Sequence, residues 1–160
     1  MSLFSFCEEI AEIYYSKNNF FTTRNHSYLD KKTSGNRDID LIAFNGKKLL
    51  IISCKRGSLN QSDEKKEVVL FKQAAKELKK IFPNIKVKPN YVFIAEWIKE
   101  SNLKFFKKNK IQCIKLNKIV KDLLDILDKE MGTKKLDGRE SYVSSRLLKF
   151  LIKNKLINLP

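Results

Sequence analysis

The stretch GNRDIDLIAFNGKKLLIISCK, residues 35–55, decides the fold of this chain. Two runs rich in strand-forming residues, at 38–44 and 48–54, flank the dipeptide Asn45-Gly46. This dipeptide is a strong hairpin signal because both residues tolerate positive φ. Apolar side chains occupy both faces of the two runs, so both faces must be covered by other elements. The stretch therefore predicts a buried hairpin inside a layered α/β domain.

The rest of the chain supplies the covering layers. Apolar spacing predicts helices at about 3–17, 64–82, 99–108, 117–130 and 141–156, and strands at 20–24, 91–95 and 111–115. The polar segment 25–36 is predicted to be a loop. This order predicts an α/β/α sandwich around a mixed central sheet, with extra C-terminal helices. We expect a core at 1–116 and a helical extension at 117–160 that packs on the core or on a dimer partner.

The hairpin gathers polar side chains at one end. A two-residue loop would place Asp40 opposite Ile51 and Asp38 opposite Ser53. Because side chains alternate along a strand, Asp38, Asp40, Ser53 and Lys55 would then share one face. Carboxylates at the end of a buried face are costly unless they pair or bind something, and an oxygen-rich site suits Mg²⁺ or Mn²⁺. The alternative is that these are solvent-side residues of an edge hairpin.

Composition and charge limit the function. The 160 residues carry 33 Lys and Arg against 18 acids, a net charge of +15, which favours a polyanionic partner such as nucleic acid. A lysine-rich proteome would give the same excess. Three dispersed cysteines and a single histidine, His26, argue against zinc sites and Ser-His-Asp triads. The chain shows no signal peptide and no transmembrane run of about 20 apolar residues, so we expect a cytoplasmic protein.

A family resemblance follows from the hairpin residues. The run Gly35-Asn36-Arg37-Asp38-Ile39-Asp40-Leu41-Ile42-Ala43, followed by Ile51-Ile52-Ser53-Cys54-Lys55, resembles the core of PD-(D/E)XK nucleases, the restriction-endonuclease-like superfamily. Within it, the chain resembles Mrr-type restriction enzymes, archaeal Holliday-junction resolvases and the nuclease domains of CRISPR ancillary nucleases. The resemblance covers about residues 6–115.

The resemblance implies roles for individual residues. Asp40 matches the metal-binding aspartate, and Lys55 matches the lysine that orients the attacking water. The carbonyl of Cys54 would complete the metal shell. Glu8, with Glu9 as its rival, matches the acid of the first helix. Gln73 matches a glutamine that resolvase-like members carry on the helix after the lysine. Glu8, Glu9 and Gln73 could equally be ordinary helix-surface residues.

The sequence departs from the family pattern at one position. The usual acid two residues before the lysine is Ser53, which is a weaker ligand without charge. Asp38, predicted to lie opposite Ser53, could supply the missing carboxylate. That assignment is our own inference and does not belong to the family pattern.

Several basic residues near the hairpin are candidate nucleic-acid contacts. They are Arg24, Lys31, Lys32, Arg37 and Arg56, with His26 between the first two. A plain solvated loop is the alternative interpretation. Trp97 could stack a base, but its position after a buried strand favours a place in the core.

We therefore predict a Mg²⁺- or Mn²⁺-dependent endonuclease that hydrolyses phosphodiester bonds in DNA, restriction-like or junction-resolving. RNA remains open as a substrate. A homodimer is expected because two-fold symmetry brings one small site to each strand of a duplex. Two alternatives remain: a non-catalytic nucleic-acid-binding protein with a degenerate site, and a nuclease subunit that needs a separate recognition partner.

Overall fold

The computed structural model describes residues 3–30 and 35–131 of the chain. In chain order the elements are α1 (Leu3–Lys17), β1 (Phe21–Asp30), β2 (Gly35–Phe44), β3 (Leu49–Lys55), α2 (Gln61–Ile81), β4 (Pro89–Ala95), α3 (Glu100–Lys108), β5 (Ile111–Lys115) and α4 (Leu116–Met131). This order confirms the predicted succession of helices and strands as far as α4. The helix predicted at 141–156 lies outside the described residues.

The strands form one five-stranded mixed sheet in the order β1-β2-β3-β4-β5. The first three strands are antiparallel neighbours, whereas β3, β4 and β5 run parallel. The parallel strands are connected through α2 and α3, as parallel connections require a crossover. The carboxyl ends of β3, β4 and β5 consequently meet at one edge of the sheet.

Helices cover both faces of the sheet, as the two apolar faces of the hairpin require. On one face, Val68 and Phe71 of α2 belong to the same buried cluster as Ile42, Ile51 and Phe93. On the other face lies α1, whose Cys7 side chain is hydrogen-bonded to that of Cys54. The fold is thus an α/β arrangement with a mixed sheet between helical layers, as the sequence predicted.

The predicted register of the hairpin is wrong by two residues. Phe44 pairs with Leu49, so the connection has four residues, 45–48, and not two. Asn45 Oδ1 accepts the backbone N–H groups of Lys47 and Lys48 at 3.1 and 2.8 Å, and Gly46 adopts a φ of +83°. The Asn45 side chain thus satisfies two backbone N–H groups within the turn, which the predicted two-residue turn would have left to pair in the strands.

The corrected register brings the polar residues closer together. A shift of two residues leaves every side chain on its predicted face, because the strand period is two. The pairing Leu41↔Ile52 puts Asp40 level with Ser53, where the predicted register had Ile51. Asp38 is no longer opposite Ser53 of β3, and on the other side of β2 it pairs with Ser27 of β1.

The structure also differs from the prediction at residues 25–36, which were predicted to form a loop. Here β1 continues to Asp30 and β2 begins at Gly35, with pairs from Phe21↔Phe44 to Asp30↔Gly35. The polar residues are compatible with a strand because β1 is at the edge of the sheet and the side chains of Thr23, Arg24, Asn25 and Ser27 are exposed. A solvent-facing strand lacks the apolar alternation that would have revealed it.

By its contacts the chain divides into two units, Met1–Lys121 and Asp122–Pro160. The first unit contains the sheet, and the second unit is described only as far as Met131. Within the described ranges, no helix is long and apolar enough to cross a membrane. The boundary between a core at 1–116 and an extension remains a prediction.

Candidate functional site

The Asp40 carboxylate gathers three donors at the end of β3. Asp40 Oδ2 accepts hydrogen bonds from the backbone N–H of Cys54 at 2.8 Å, from Ser53 Oγ at 3.2 Å and from Lys55 Nζ at 3.2 Å. The backbone pairing of β2 with β3 ends at Leu41↔Ile52. The next N–H of β3 that points toward β2, that of Cys54, therefore donates to the Asp40 side chain and not to a backbone carbonyl. The end of the ladder is therefore what places a carboxylate against the backbone.

Lys55 is held as a cation at this position. Burial by itself would lower the pKa of Lys55, but Asp40 and then Glu67 attract the ammonium, and the net effect raises the pKa above its ordinary value. The Lys55 side chain keeps 31% of its surface exposed. A protonated lysine at this position can neutralise and orient an anion.

Glu67 of α2 is the site residue that the sequence analysis missed. It is only 6% exposed, and burial raises the pKa of its carboxyl group. Lys55 and a hydrogen bond with Ser53 oppose that rise, while the Asp40 charge adds to it. Ser53 thus stands between two carboxylates, and its single hydroxyl proton can be donated to only one of them at a time.

A sequence signal for Glu67 existed. Glu64 and Glu67 lie on the apolar stripe of α2 that continues through Val68, Phe71 and Ala74, at spacings of three and four residues. Acidic residues on the buried stripe of an amphipathic helix need a partner, since an unpaired buried charge is expensive. Glu64 meets the buried amide of Asn102, and Glu67 meets Ser53 and Lys55.

Glu8 of α1 approaches the same site. Burial raises the pKa of Glu8, and the Asp40 charge raises it further, whereas Arg24 and Lys55 lower it. The Glu8 carboxyl group is therefore within electrostatic reach of Asp40 and Lys55. Glu9 is half-buried on the same helix.

Asp38 occupies a different position from the predicted one. It is exposed and accepts a hydrogen bond of 2.6 Å from Ser27 Oγ across the β1–β2 pair. It does line the small cavity beside the site, together with Asp40, Ser53 and Glu67. That cavity has a volume of about 40 Å³, enough for an ion or a water molecule, which needs about 10–15 Å³.

The donor set fits a hard cation by its chemistry. Asp40, Glu67 and Glu8 offer carboxylate oxygens, and Ser53 offers a hydroxyl. The N–H and C=O of one strand residue point to the same side of the strand, so the Cys54 carbonyl is directed to the β2 side, as its N–H is. In residues 3–30 and 35–131, no three His, Cys, Asp or Glu side chains already converge as a metal cluster. A cation would therefore have to draw these oxygens together and compete with Lys55 for Asp40.

The remaining predicted residues are dispersed. Gln73 is half-buried on α2 but does not line the small cavity, which Leu70 and Ala74 do. Arg24 is exposed on β1 and forms an ion pair of 2.7 Å with Glu12. Arg37 is exposed on β2, and Arg56 is exposed directly after Lys55. Lys31 and Lys32 lie outside the described residues.

A larger cavity of about 620 Å³ lies at the opposite end of β3. Apolar side chains including Phe44, Leu49 and Leu78 line it, with lysines and His26 at its wall. His26 Nε2 is buried there and makes no hydrogen bond within the described part of the chain. This cavity has no carboxylate in its lining, so it does not belong to the Asp40 site.

Comparisons with known proteins bear on the fold. No protein-family model matches the sequence, and no curated protein matches it. Among solved structures, the chain resembles the small subunit, R.BspD6I2, of the heterodimeric restriction endonuclease R.BspD6I, with a TM-score of 0.51 and 12% identity over 92% of this chain and 79% of that one. It also resembles the protein of unknown function AF1548, with a TM-score of 0.53 and 14% identity over 96% of this chain and 78% of that one. At these identities the likeness shows a restriction-endonuclease-like fold.

Proposed function

We propose that this protein is a divalent-metal-dependent endonuclease that hydrolyses phosphodiester bonds in DNA. The observation that carries the proposal is the convergence of Asp40 and Lys55 on one point, with Glu67 and Glu8 close enough to perturb the charges of both. The similarity in fold to a restriction endonuclease subunit supports it. So does the net charge of +15, which suits a polyanionic substrate.

The proposed chemistry divides between the cation and the side chains. When bound, Mg²⁺ or Mn²⁺ would supply a Lewis acid that makes a coordinated water more acidic and neutralises phosphate charge. Asp40, Glu67, Glu8, Ser53 and the Cys54 carbonyl are the groups that would hold it.

Lys55 would bind the non-bridging phosphate oxygen and stabilise the charge that develops as water attacks phosphorus and the P–O bond to the leaving oxygen breaks. Because the pKa of Lys55 is raised, it stays protonated, and the proton of the attacking water must go elsewhere. Glu67 and Glu8 lie beside the site, and a carboxylate among them that does not bind the cation would accept this proton. The leaving oxygen would take a proton from solvent water.

The test is a cleavage assay on labelled duplex, single-stranded and branched DNA and on RNA, with Mg²⁺, Mn²⁺ or EDTA. Wild-type protein should cleave DNA only with metal, and Asp40→Ala and Lys55→Ala should each lose about a hundredfold or more. Asp63 and Lys66 form a matched exposed Asp–Lys pair on α2, at 2.9 Å. Asp63→Asn and Lys66→Ala should therefore retain activity. Wild-type rates in the Asp40 and Lys55 variants would overturn the assignment.

The second candidate function is a nucleic-acid-binding protein without catalysis. One observation favours it: three donors of this chain converge on Asp40 Oδ2 and occupy an oxygen that a cation would need. The same assay separates the two functions. Binding without metal-dependent cleavage of any substrate would support this second function.

A homodimer is also part of the proposal, since one small site per chain acts on two strands most simply through two-fold symmetry. The R.BspD6I2 protein is a subunit of a heterodimer. Sedimentation of this chain with and without duplex DNA would give its oligomeric state.

A further inference from the structure

Trp97, the only tryptophan of the chain, lies at the surface and not in the core. Its side chain is 52% exposed, while the next residue, Ile98, is 8% exposed and belongs to the buried cluster. The backbone is thus anchored at Ile98 and presents the indole to solvent. This differs from the core position that the sequence favoured.

The topology puts this indole at the same edge of the sheet as the Asp40 site. Strands β3 and β4 are parallel neighbours, and Lys55 at the end of β3 pairs with Ala95 at the end of β4. The chain leaves both strands in the same direction, as segments 56–58 and 96–98. In open α/β sheets, ligands bind outside the carboxyl ends of parallel strands, which is where Trp97 lies.

The indole is held in place by the segment that follows Lys55. A Cβ atom added at Gly57 would lie 2.8 Å from Trp97 Nε1 and 3.0 Å from Cε2, so the ring packs directly on the glycine backbone. Ser58 Oγ accepts the N–H of Lys99 at 2.7 Å and donates to the Trp97 carbonyl at 3.4 Å. These contacts fix the ring against the exit of β3, so a ligand would meet a preorganised surface.

The charges around the indole suit a phosphate backbone. Lys99 Nζ lies over the indole ring, 5.7 Å from its centre, so a stacking base would take the place of this ammonium and leave it beside the phosphate. Arg56 is exposed beside Gly57. Lys115 ends β5 at the same edge, paired with Ala95. The acids of the segment are Glu96 and Glu100, and the Glu100 carboxylate lies 4.0 Å from Lys104. An exposed aromatic ring among cations is the arrangement that binds the base and the phosphate of one nucleotide.

We propose that Trp97 stacks on an unpaired nucleobase next to the phosphate that the Asp40–Lys55 site would receive. The inference rests on the proposed function and narrows its substrate class to single strands, or to branched and frayed ends that expose a base. Bases inside a continuous duplex are already stacked on both faces and are not available to the indole. Stacking on an aromatic side chain contributes about 1–3 kcal/mol per base and tolerates any sequence.

The single tryptophan makes its own fluorescence the direct probe. The full chain is titrated in EDTA with single-stranded DNA, single-stranded RNA, blunt duplex DNA and an abasic single strand of equal length. Single-stranded DNA or RNA should quench the Trp97 fluorescence. Comparing the DNA titration with the RNA titration shows whether a deoxyribose or a ribose strand is preferred. The abasic strand should bind through its phosphates without quenching, and the duplex should leave the fluorescence unchanged.

Variants test the contact through the affinity of a labelled strand. Trp97→Ala should weaken single-strand binding about 5- to 150-fold, the equivalent of one stacked base, and leave duplex binding unchanged. Gly57→Ala, which displaces the ring, should weaken it in the same direction. The control is Phe21→Ala, because Phe21 is 83% exposed but lies at the far end of the β1–β2 pair.

The outcomes separate this inference from the proposed function. Equal quenching by abasic and normal strands, or unchanged single-strand affinity in Trp97→Ala, would overturn the stacking contact while metal-dependent cleavage stands. Base-dependent quenching in a protein that never cleaves would support the stacking site and remove the catalytic proposal. Absence of binding to every nucleic acid would overturn both.

Discussion

Replacing Glu67 by glutamine should stabilise the protein at neutral pH. Glu67 is 6% exposed, and burial raises the pKa of its carboxyl group, which means that the folded protein disfavours the charged form. A group with a raised folded pKa stabilises the fold below its unfolded pKa, here 4.5, and loses that contribution as pH rises through the folded value. The neutral isostere does not undergo this loss.

The expected gain is on the order of 1 kcal/mol at pH 7, because the attraction of Lys55 offsets part of the burial cost of the carboxylate. For a chain of this size that corresponds to a rise in Tm of about 2–4 °C. At pH 4, where wild-type Glu67 is itself protonated, the two proteins should unfold at nearly the same temperature. The assay is thermal unfolding by circular dichroism from pH 4 to pH 8.

The control is Glu77→Gln on the same helix, where the carboxylate pairs with Lys80 at the surface and the change should be small at every pH. Mg²⁺ provides the complementary test. If Glu67 is a ligand, Mg²⁺ should raise the Tm of the wild type and much less that of Glu67→Gln. An unchanged or lowered Tm of Glu67→Gln at pH 7, or a difference that does not vary with pH, would refute the reasoning.

Two further predictions concern Ser53 and the net charge. Ser53→Glu should lower both stability and cleavage, because Ser53 is 6% exposed between Asp40 and Glu67, and a third carboxylate would be crowded and repelled there. Thermal unfolding and a titration of cleavage with Mg²⁺ check this prediction. More cleavage than the wild type at low Mg²⁺ would contradict it. Duplex binding by Asp40→Ala in EDTA should weaken with salt at a log-log slope of about −4 to −7, for about four to eight phosphates neutralised. A slope shallower than about −2 would mean that the charge of +15 does not serve DNA binding.

The sequence predicted those parts of the fold that depend on local patterns. Apolar spacing identified the order of elements from α1 to α4, and strand alternation put Asp40, Ser53 and Lys55 on one face. The prediction from sequence was wrong where a side chain changed the backbone conformation of a turn. Asn45 caps a four-residue turn, so the dipeptide Asn45-Gly46 did not form the two-residue turn that it usually favours.

The remaining differences involve contacts between distant segments. Glu67 lies in the site because α2 packs on the hairpin face. The only sequence signal for this residue was its position on the apolar stripe of the helix. The Trp97 ring packs on Gly57, forty residues earlier, and stays outside the core, and no local pattern encodes that contact. The metal ion, the oligomeric state and the role of Gln73 remain predictions.

The four-residue turn between β2 and β3 also orders the events of folding. It brings Asp40 to Lys55 across only 15 residues, whereas β3 meets β4 through a crossover that contains all of α2. Closing a short loop costs less chain entropy than closing a long one, so the hairpin can pair before the parallel strands do. Asp40 and Lys55 are therefore close in the chain, whereas Glu67 reaches them only after α2 has packed on the hairpin face. An isolated hairpin is marginally stable in water, so the ion pair depends on the packing of α1 and α2 for its persistence.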